Sequence, residues 1–495
     1  MRIRNLKPRA IEFFHKHKFK ILLGVLAFIL FYFYKKPFII EGSGSLDWDA
    51  YGYIKDIYWN QISFLMWGRI GYIFFFSTVW KILNAFNFPI LEFHNAVRLF
   101  NIIFASFSIV FFYLTIKNIF KNKLIAIGSS LILLFSKDFI NYSGRVYTES
   151  MMIFFIILSY YFFTKSFESK KSWHLYLSAA LFGFAFEIRE SALLSIFFFL
   201  VYYIYKRKDS TFTLKNYSVF CITMFITAMI GPFIIYLMQG QKYINQILYW
   251  SKFQKGTVVS YPIMLRLGHV YQNITDGFGF LVLPLLGMII LSFKHKYKEL
   301  LIAISLIIPI LIYTFYGNML ERFFIIGYLG LSLFTAITLF YIINYLQFSR
   351  TLRKYAFIML LIILLIVNFI NFHSELKEEQ KYALYVEQYG LHLLNDFPEN
   401  TEYIIGARRQ ALNYFIDLTE PKPKKGTIGL GGTPDEFKEK IKKKLLENKT
   451  IVIDPNQFYF PDETENVKKI LNDYPSYKDR QGLYILNKNI SLIKS

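Results

Sequence analysis

Apolar runs close to the length of a membrane span recur through residues 19–371, separated by short turns in which lysine and arginine gather. A bilayer core is crossed by about 20 apolar residues in helical form. A water-soluble chain has no use for so many runs of that length. The pattern predicts a polytopic α-helical membrane protein, with about eleven transmembrane helices. They are expected at 19–40, 98–117, 124–140, 148–165, 173–188, 191–206, 217–238, 277–293, 299–316, 323–346 and 355–371. A hydrophobic content of 55% agrees with this reading.

The net charge of +22 has to be located before it means anything. Residues 372–495 carry 19 basic and 19 acidic side chains, so the tail is neutral. The excess lies in 1–371, where 37 basic residues face 15 acidic ones. There it collects in turns such as Lys206-Arg207-Lys208 and Lys294–Lys298. That is the positive-inside bias of a membrane protein and excludes a nucleic-acid surface. The basic residues before the first span argue for a cytoplasmic N-terminus in a multi-pass protein of the plasma (inner) membrane. The first span lacks a small-residue cleavage site and reads as a retained helix. The single cysteine, Cys221, excludes an internal disulfide.

Residues 69–88 are apolar but interrupted by Arg69, Lys81 and Asn84. The span at 98–117 ends in Lys117…Lys123, an inward end, so it starts outside. Residues 69–88 are then interfacial, within a first outer loop of 41–97. The remaining turns alternate and leave the C-terminus outside, with a long outer loop at 239–276.

From residue 372 the apolar runs shorten and the charge becomes mixed. Strands are expected at Glu402–Gly406, Thr450–Asp454 and Leu483–Leu486, and helices at Arg409–Asp417, Pro434–Asn448 and Thr464–Asp473. The alternation predicts a C-terminal soluble α/β domain, extracytoplasmic, over 372–495, following a membrane domain over 1–371. Gly429–Thr433 has glycines suited to a phosphate loop but no following Lys-Ser/Thr, which favours a plain turn.

The candidate chemistry lies at outer helix ends. Ser45–Tyr53 holds two carboxylates, Asp47 and Asp49, and three aromatics including Tyr53. A carboxylate there suits a base that takes a proton from an acceptor; the plain alternative is a loop anchored by interfacial aromatics. Glu92 and His94 are a weak metal pair, open to a divalent ion or a sugar hydroxyl. Arg98 suits a lipid phosphate or simple snorkelling. Glu149, beside an apolar helix, is expected to pair with Arg145 or face a polar cavity. Arg189, within Glu187–Glu190, and Arg322 suit phosphate oxygens. Arg266 and His269 lie in the long outer loop with open roles.

These pieces, in this order, resemble the GT-C superfamily of integral-membrane glycosyltransferases, in the protein O-mannosyltransferase-like branch that includes the aminoarabinose transferases. Asp49…Tyr53 is similar to that family's first-loop motif, Trp67–Arg98 to its interfacial region, and Arg145…Glu149 to its second-loop acid. Gly183…Arg189 and Glu321-Arg322-Phe323 are similar to its later basic positions. Ala50 stands where a second acid often follows the first, leaving Asp47 or Glu92 for that part. The resemblance implies a polyprenyl-phosphate sugar donor, a lipid, glycan or protein acceptor, and inverting transfer on the outer face. Asp49 would be the base, with Arg189 and Arg322 on the donor phosphate. Two other classes fit the composition: a transporter or flippase for a lipid-linked saccharide, and a non-catalytic assembly protein. A transporter favours charges in mid-helix and broken helices.

Overall fold

The structure is a computed structural model. It describes residues 6–34, 48–59, 69–89, 93–206, 213–258, 262–279, 282–316, 321–346, 348–395, 397, 400–404, 426–427, 434–453, 476–478 and 483–486. Two compact units make up the chain. One comprises residues 1–35, 64–76 and 97–377, and the other 36–63, 77–96 and 378–495.

The first unit is helical. Among the described residues five helices are long and apolar enough to cross a membrane: Phe93–Phe120, Glu149–Ser169, Leu214–Gln239, Ile325–Tyr345 and Arg350–Lys381. Two bent pairs raise the number to as many as seven. Several expected spans are interrupted. The span at 124–140 divides into Lys123–Leu134 and Lys137–Ser143, bent by 64°. Asn122 caps the first half, accepting from the N–H groups of Leu124 and Ile125. Ser136, Lys137 and Asp138 at the bend explain the break, because charged groups do not continue an apolar span. The expected span at 299–316 is two short helices, Tyr297–Ser305 and Ile308–Tyr316. The run at 191–206 begins with a 3-10 segment, Glu190–Ile196.

The region expected as a long outer loop is helical over Gln241–Val258 and Ile263–Phe278. In the second of these Val270, Ile274 and Phe278 are buried while Met264, Leu265 and Tyr271 are exposed. Buried positions four apart mark a one-sided helix, whose period a search for long apolar runs passes over.

Small residues let the helices of this unit close on each other. Ser159 donates to the Ser178 carbonyl at 2.7 Å and Ser178 returns the bond to that of Ser159 at 2.8 Å. These bonds join Glu149–Ser169 to Ser172–Ile188, as interhelical hydroxyl bonds do where no water competes. At Gly183 a Cβ would collide with Thr227 and the Met224 carbonyl, so glycine is what admits Leu214–Gln239.

The second unit holds a five-stranded sheet of order β2-β1-β3-β5-β4. Its strands are β1 Thr401–Ile404, β2 Gly426–Thr427, β3 Thr450–Ile453, β4 Tyr477–Lys478 and β5 Tyr484–Leu486. β1 runs parallel to β2 and β3, while β5 runs antiparallel to β3 and β4. Leu393, Tyr403, Val452 and Leu483 form its buried core with Phe397 and Ile485 against them. Helix Pro434–Leu446 buries Ile441. Elsewhere in this unit, helix Trp48–Trp59 buries Tyr53, Ile54 and Ile57. Trp80 packs between Tyr58 and Phe93, with ring centroids 5.6 and 4.9 Å away. The helices expected at 409–417 and 464–473, and the turn at 429–433, lie outside the described residues.

Candidate functional site

The first unit gathers three arginines at the ends of its helices. Arg145 lies in the turn before helix Glu149–Ser169, Arg189 follows helix Ser172–Ile188, and Arg322 sits in the 3-10 turn Glu321–Phe323. Glu149 pairs with Arg189, both side chains being only 2% exposed. The expected partner, Arg145, bonds instead to Asn141 at 2.8 Å. Four residues separate Arg145 from Glu149, which made it the local choice; the turn between them directs the two side chains to different partners. Arg322 Nε stands 3.9 Å from the same Glu149 carboxylate, and Thr148 accepts from Arg189 at 3.1 Å.

Two rings are interleaved with these cations. The Arg145 and Arg322 guanidinium carbons lie 6.0 and 5.1 Å from the Tyr147 ring centroid. Those of Arg189 and Arg322 lie 4.8 and 5.5 Å from that of Phe323. Aromatic faces attract guanidinium groups, and more so where water is scarce. The rings thus hold three like charges near one another without neutralising them.

Arg189 meets Glu149 and Thr148 through Nη1, while its Nε and Nη2, both buried, have no hydrogen-bond partner among the described residues. An idle guanidinium edge costs free energy unless something occupies it. Paired N–H groups on one planar edge match two oxygens of a phosphate.

The cluster Glu187–Glu190 does not close on itself. Glu187 accepts from the Gly231 N–H at 2.5 Å, Arg189 turns to Glu149, and Glu190 takes Arg69 at 3.1 Å. Beside Glu187 and Glu190 a cavity of about 170 Å³ is lined also by Ile70, Met229 and Pro232. Four of its lining residues, Met229, Pro232, Tyr243 and Ile247, also line an apolar groove of about 550 Å³ along helices Leu214–Gln239 and Gln241–Val258.

Residues 85–236 match the family model "Dolichyl-phosphate-mannose-protein mannosyltransferase". No curated protein matches the sequence. Among solved structures, ArnT from Cupriavidus metallidurans in the apo state aligns with a TM-score of 0.55 at 9% identity, covering 95% of this chain and 98% of that one. The Archaeoglobus fulgidus oligosaccharyltransferase in its apo form aligns with a TM-score of 0.58 at 11% identity, covering 95% of this chain and 74% of that one. The chain shares its fold with these two membrane proteins.

The other candidates lie on several elements. Asp49 is in the first turn of helix Trp48–Trp59, and its side chain is outside the described atoms. Asp47 and Glu92 lie outside the described residues. Tyr53 is fully buried, four residues after Asp49 and three before Asp56, itself a buried acid. Positions 49, 53 and 56 fall on one helical stripe. His94 and Arg98 are buried in the first turns of helix Phe93–Phe120. Among the described residues no three His, Cys, Asp or Glu side chains come together for a metal. Arg266 is half-buried on Ile263–Phe278 and His269 is exposed there.

Sequence reasoning missed residues that tie together the elements carrying the arginine cluster. Asn101 donates to Tyr72 Oη at 3.2 Å and to the carbonyls of Arg145 and Tyr147 at 2.7 and 3.1 Å. Asp138 accepts from Tyr328 Oη at 2.6 Å, and a Cβ at Gly277 would collide with both groups. An asparagine inside an apolar span and an acid at a span's end were the available signals.

Proposed function

We propose that the protein is a membrane glycosyltransferase that moves a sugar from a polyprenyl-phosphate donor to an acceptor on the extracytoplasmic face, with inversion. The observation that carries this reading is the buried edge of Arg189, whose Nε and Nη2 meet no hydrogen-bond partner among the described residues. The GT-C fold, the family match over 85–236 and the transferase identity of the structural neighbours support it. The apolar groove beside Glu187 and Glu190 is suited to isoprenoid units.

In this scheme Arg189 and Arg322 take the donor phosphate oxygens. An acceptor oxygen or nitrogen attacks the anomeric carbon as its proton passes to a carboxylate. Asp49 is the assigned base, with Asp47 the other candidate. The bond from the anomeric carbon to the phosphate oxygen breaks, and its electron pair stays on polyprenyl phosphate. Fixed positive charge stabilises that developing anion without rearranging during the reaction. Tyr53, Glu92, His94, Arg98, Arg145, Glu149 and Arg266 are assigned to substrate binding and to support of that site. Glu92 and His94 alone supply fewer ligands than a divalent ion takes, so no step is routed through a metal.

The scheme carries an eleven-span arrangement in the plasma membrane with a cytoplasmic N-terminus. Residues 372–495 form a soluble α/β domain outside, at the acceptor side. The test is release of polyprenyl phosphate by purified protein from a panel of polyprenyl-phosphate sugars, comparing wild type with Asp49→Asn and Asp47→Asn. Loss only in Asp49→Asn supports the assignment; loss only in Asp47→Asn moves the base by two residues. Wild type that binds donor without turnover across plausible acceptors overturns the transferase in favour of a transporter or assembly protein.

A further inference from the structure

Helices Leu6–Phe33 and Phe93–Phe120 line a groove of about 750 Å³ that shares no residue with the arginine cluster. Its wall on the first helix is one face of the helical repeat. His17 and Lys20 lie at the end nearer the N-terminus, with Gly24, Val25 and Phe28 further along. Ser106, Phe107 and Val110 contribute from the other helix at the same spacing. Gly24 keeps the floor open, since a Cβ there would stand 3.2 Å from Val110. Val25 and Phe107 are about half exposed, so the groove opens toward the bilayer.

Two features indicate what fills it. The first is length. From His17 to Phe28 the lining rises roughly 16 Å along the helix axis. That is about the depth of one leaflet, half of a ~30 Å hydrocarbon core. The second is charge. The lining is apolar except at one end, where Lys20 Nζ and His17 Nδ1 are 3.1 Å apart. No Asp or Glu is among the described residues that line the groove. A slot one leaflet deep with a lysine ammonium at its headgroup end matches a single anionic amphiphile.

We propose that this groove binds one anionic diacyl phospholipid, an acyl chain between Gly24 and Ser106 and the headgroup phosphate at Lys20 and His17. The proposal does not depend on the transfer reaction. A second protein helix would need a wider apolar face and would gain nothing from the charged end.

The test is native mass spectrometry of the full-length protein after exchange into nanodiscs of equal phosphatidylglycerol and phosphatidylcholine. Wild type should retain one phosphatidylglycerol at least about fivefold over phosphatidylcholine. Lys20→Gln should bring the two lipids to parity, while Lys20→Arg and Lys18→Gln should keep the preference. Val25→Phe, at an exposed position, should exclude both lipids without unfolding the protein. Equal retention of the two lipids by wild type overturns the proposal. So does unchanged retention in Lys20→Gln. Lys20-dependent displacement by a tenfold lower amount of polyprenyl phosphate also overturns it, because the groove would then belong to that lipid.

Discussion

Helix Glu149–Ser169 carries a paired glutamate at each end, and the two ends obey different physics. At its start Glu149 and Arg189 are both almost wholly buried. Near its finish Glu168 pairs with Lys121 and Lys165, whose side chains are 65% and 38% exposed. The charge types are the same. Water screens the second set and makes it nearly expendable, whereas at the first each charge depends on its partner. Ion pairs in this chain therefore mean nothing until their burial is known, and the buried end is where function is to be sought.

The sharpest way to break the contrast is Glu149→Gln. It leaves the Arg189 charge buried without its carboxylate and should cost about 3–5 kcal/mol, read as a lower unfolding temperature in detergent. Added polyprenyl phosphate should recover part of that loss if its phosphate binds the Arg189 guanidinium, and this rescue tests the phosphate reading apart from activity. Arg322→Gln should be gentler on the fold, since Arg322 is not fully buried. It should lower kcat/KM for donor roughly 10²-fold, the size expected when one donor to a developing anion is lost.

Asn101→Leu probes the support beneath the cluster. With its amide gone, the Arg145 and Tyr147 carbonyls lose their bonds in a buried setting, at a cost of about 2 kcal/mol, measurable by thermal unfolding. At the exposed end Glu168→Gln should change stability by no more than about 0.5 kcal/mol. A loss comparable to that of Glu149→Gln would dissolve the comparison.

The weakest effect is expected in the second unit. The Lys444 pKa is raised, chiefly by its hydrogen bond to Glu402. A raised folded pKa means the stabilisation is complete below the unfolded lysine value, about 10.4. It is lost as pH climbs through the higher folded value. Unfolding of wild type should therefore become easier above that range, and Lys444→Met should flatten the dependence.

What the amino-acid order made legible follows from what is local. Long apolar runs, the basic turns between them and the strands around residues 402 and 451 announce themselves by period and composition. Lone charges beside apolar helices, Glu149, Arg189 and Arg322, drew attention because burying them alone is costly. Which charge meets which was not legible. Glu149 bonds to a residue forty positions away rather than to Arg145, and Asn101 reaches two carbonyls more than forty positions on. Such pairings depend on how helices pack, and composition holds no record of packing. The helix over Ile263–Phe278 was hidden for a different reason, since its apolar residues are spaced by turns rather than massed in a run.

The idle edge of Arg189 bears on the rhythm of turnover. A sugar phosphodiester carries one negative charge, whereas the lipid monophosphate left behind carries between about 1.5 and 2 near neutrality. A guanidinium edge that takes phosphate oxygens grips the more highly charged of the two. In the proposed reaction the spent carrier would be held more tightly than the loaded one. Its departure, rather than bond cleavage, would then set the pace, and accumulating carrier lipid would throttle the enzyme that releases it.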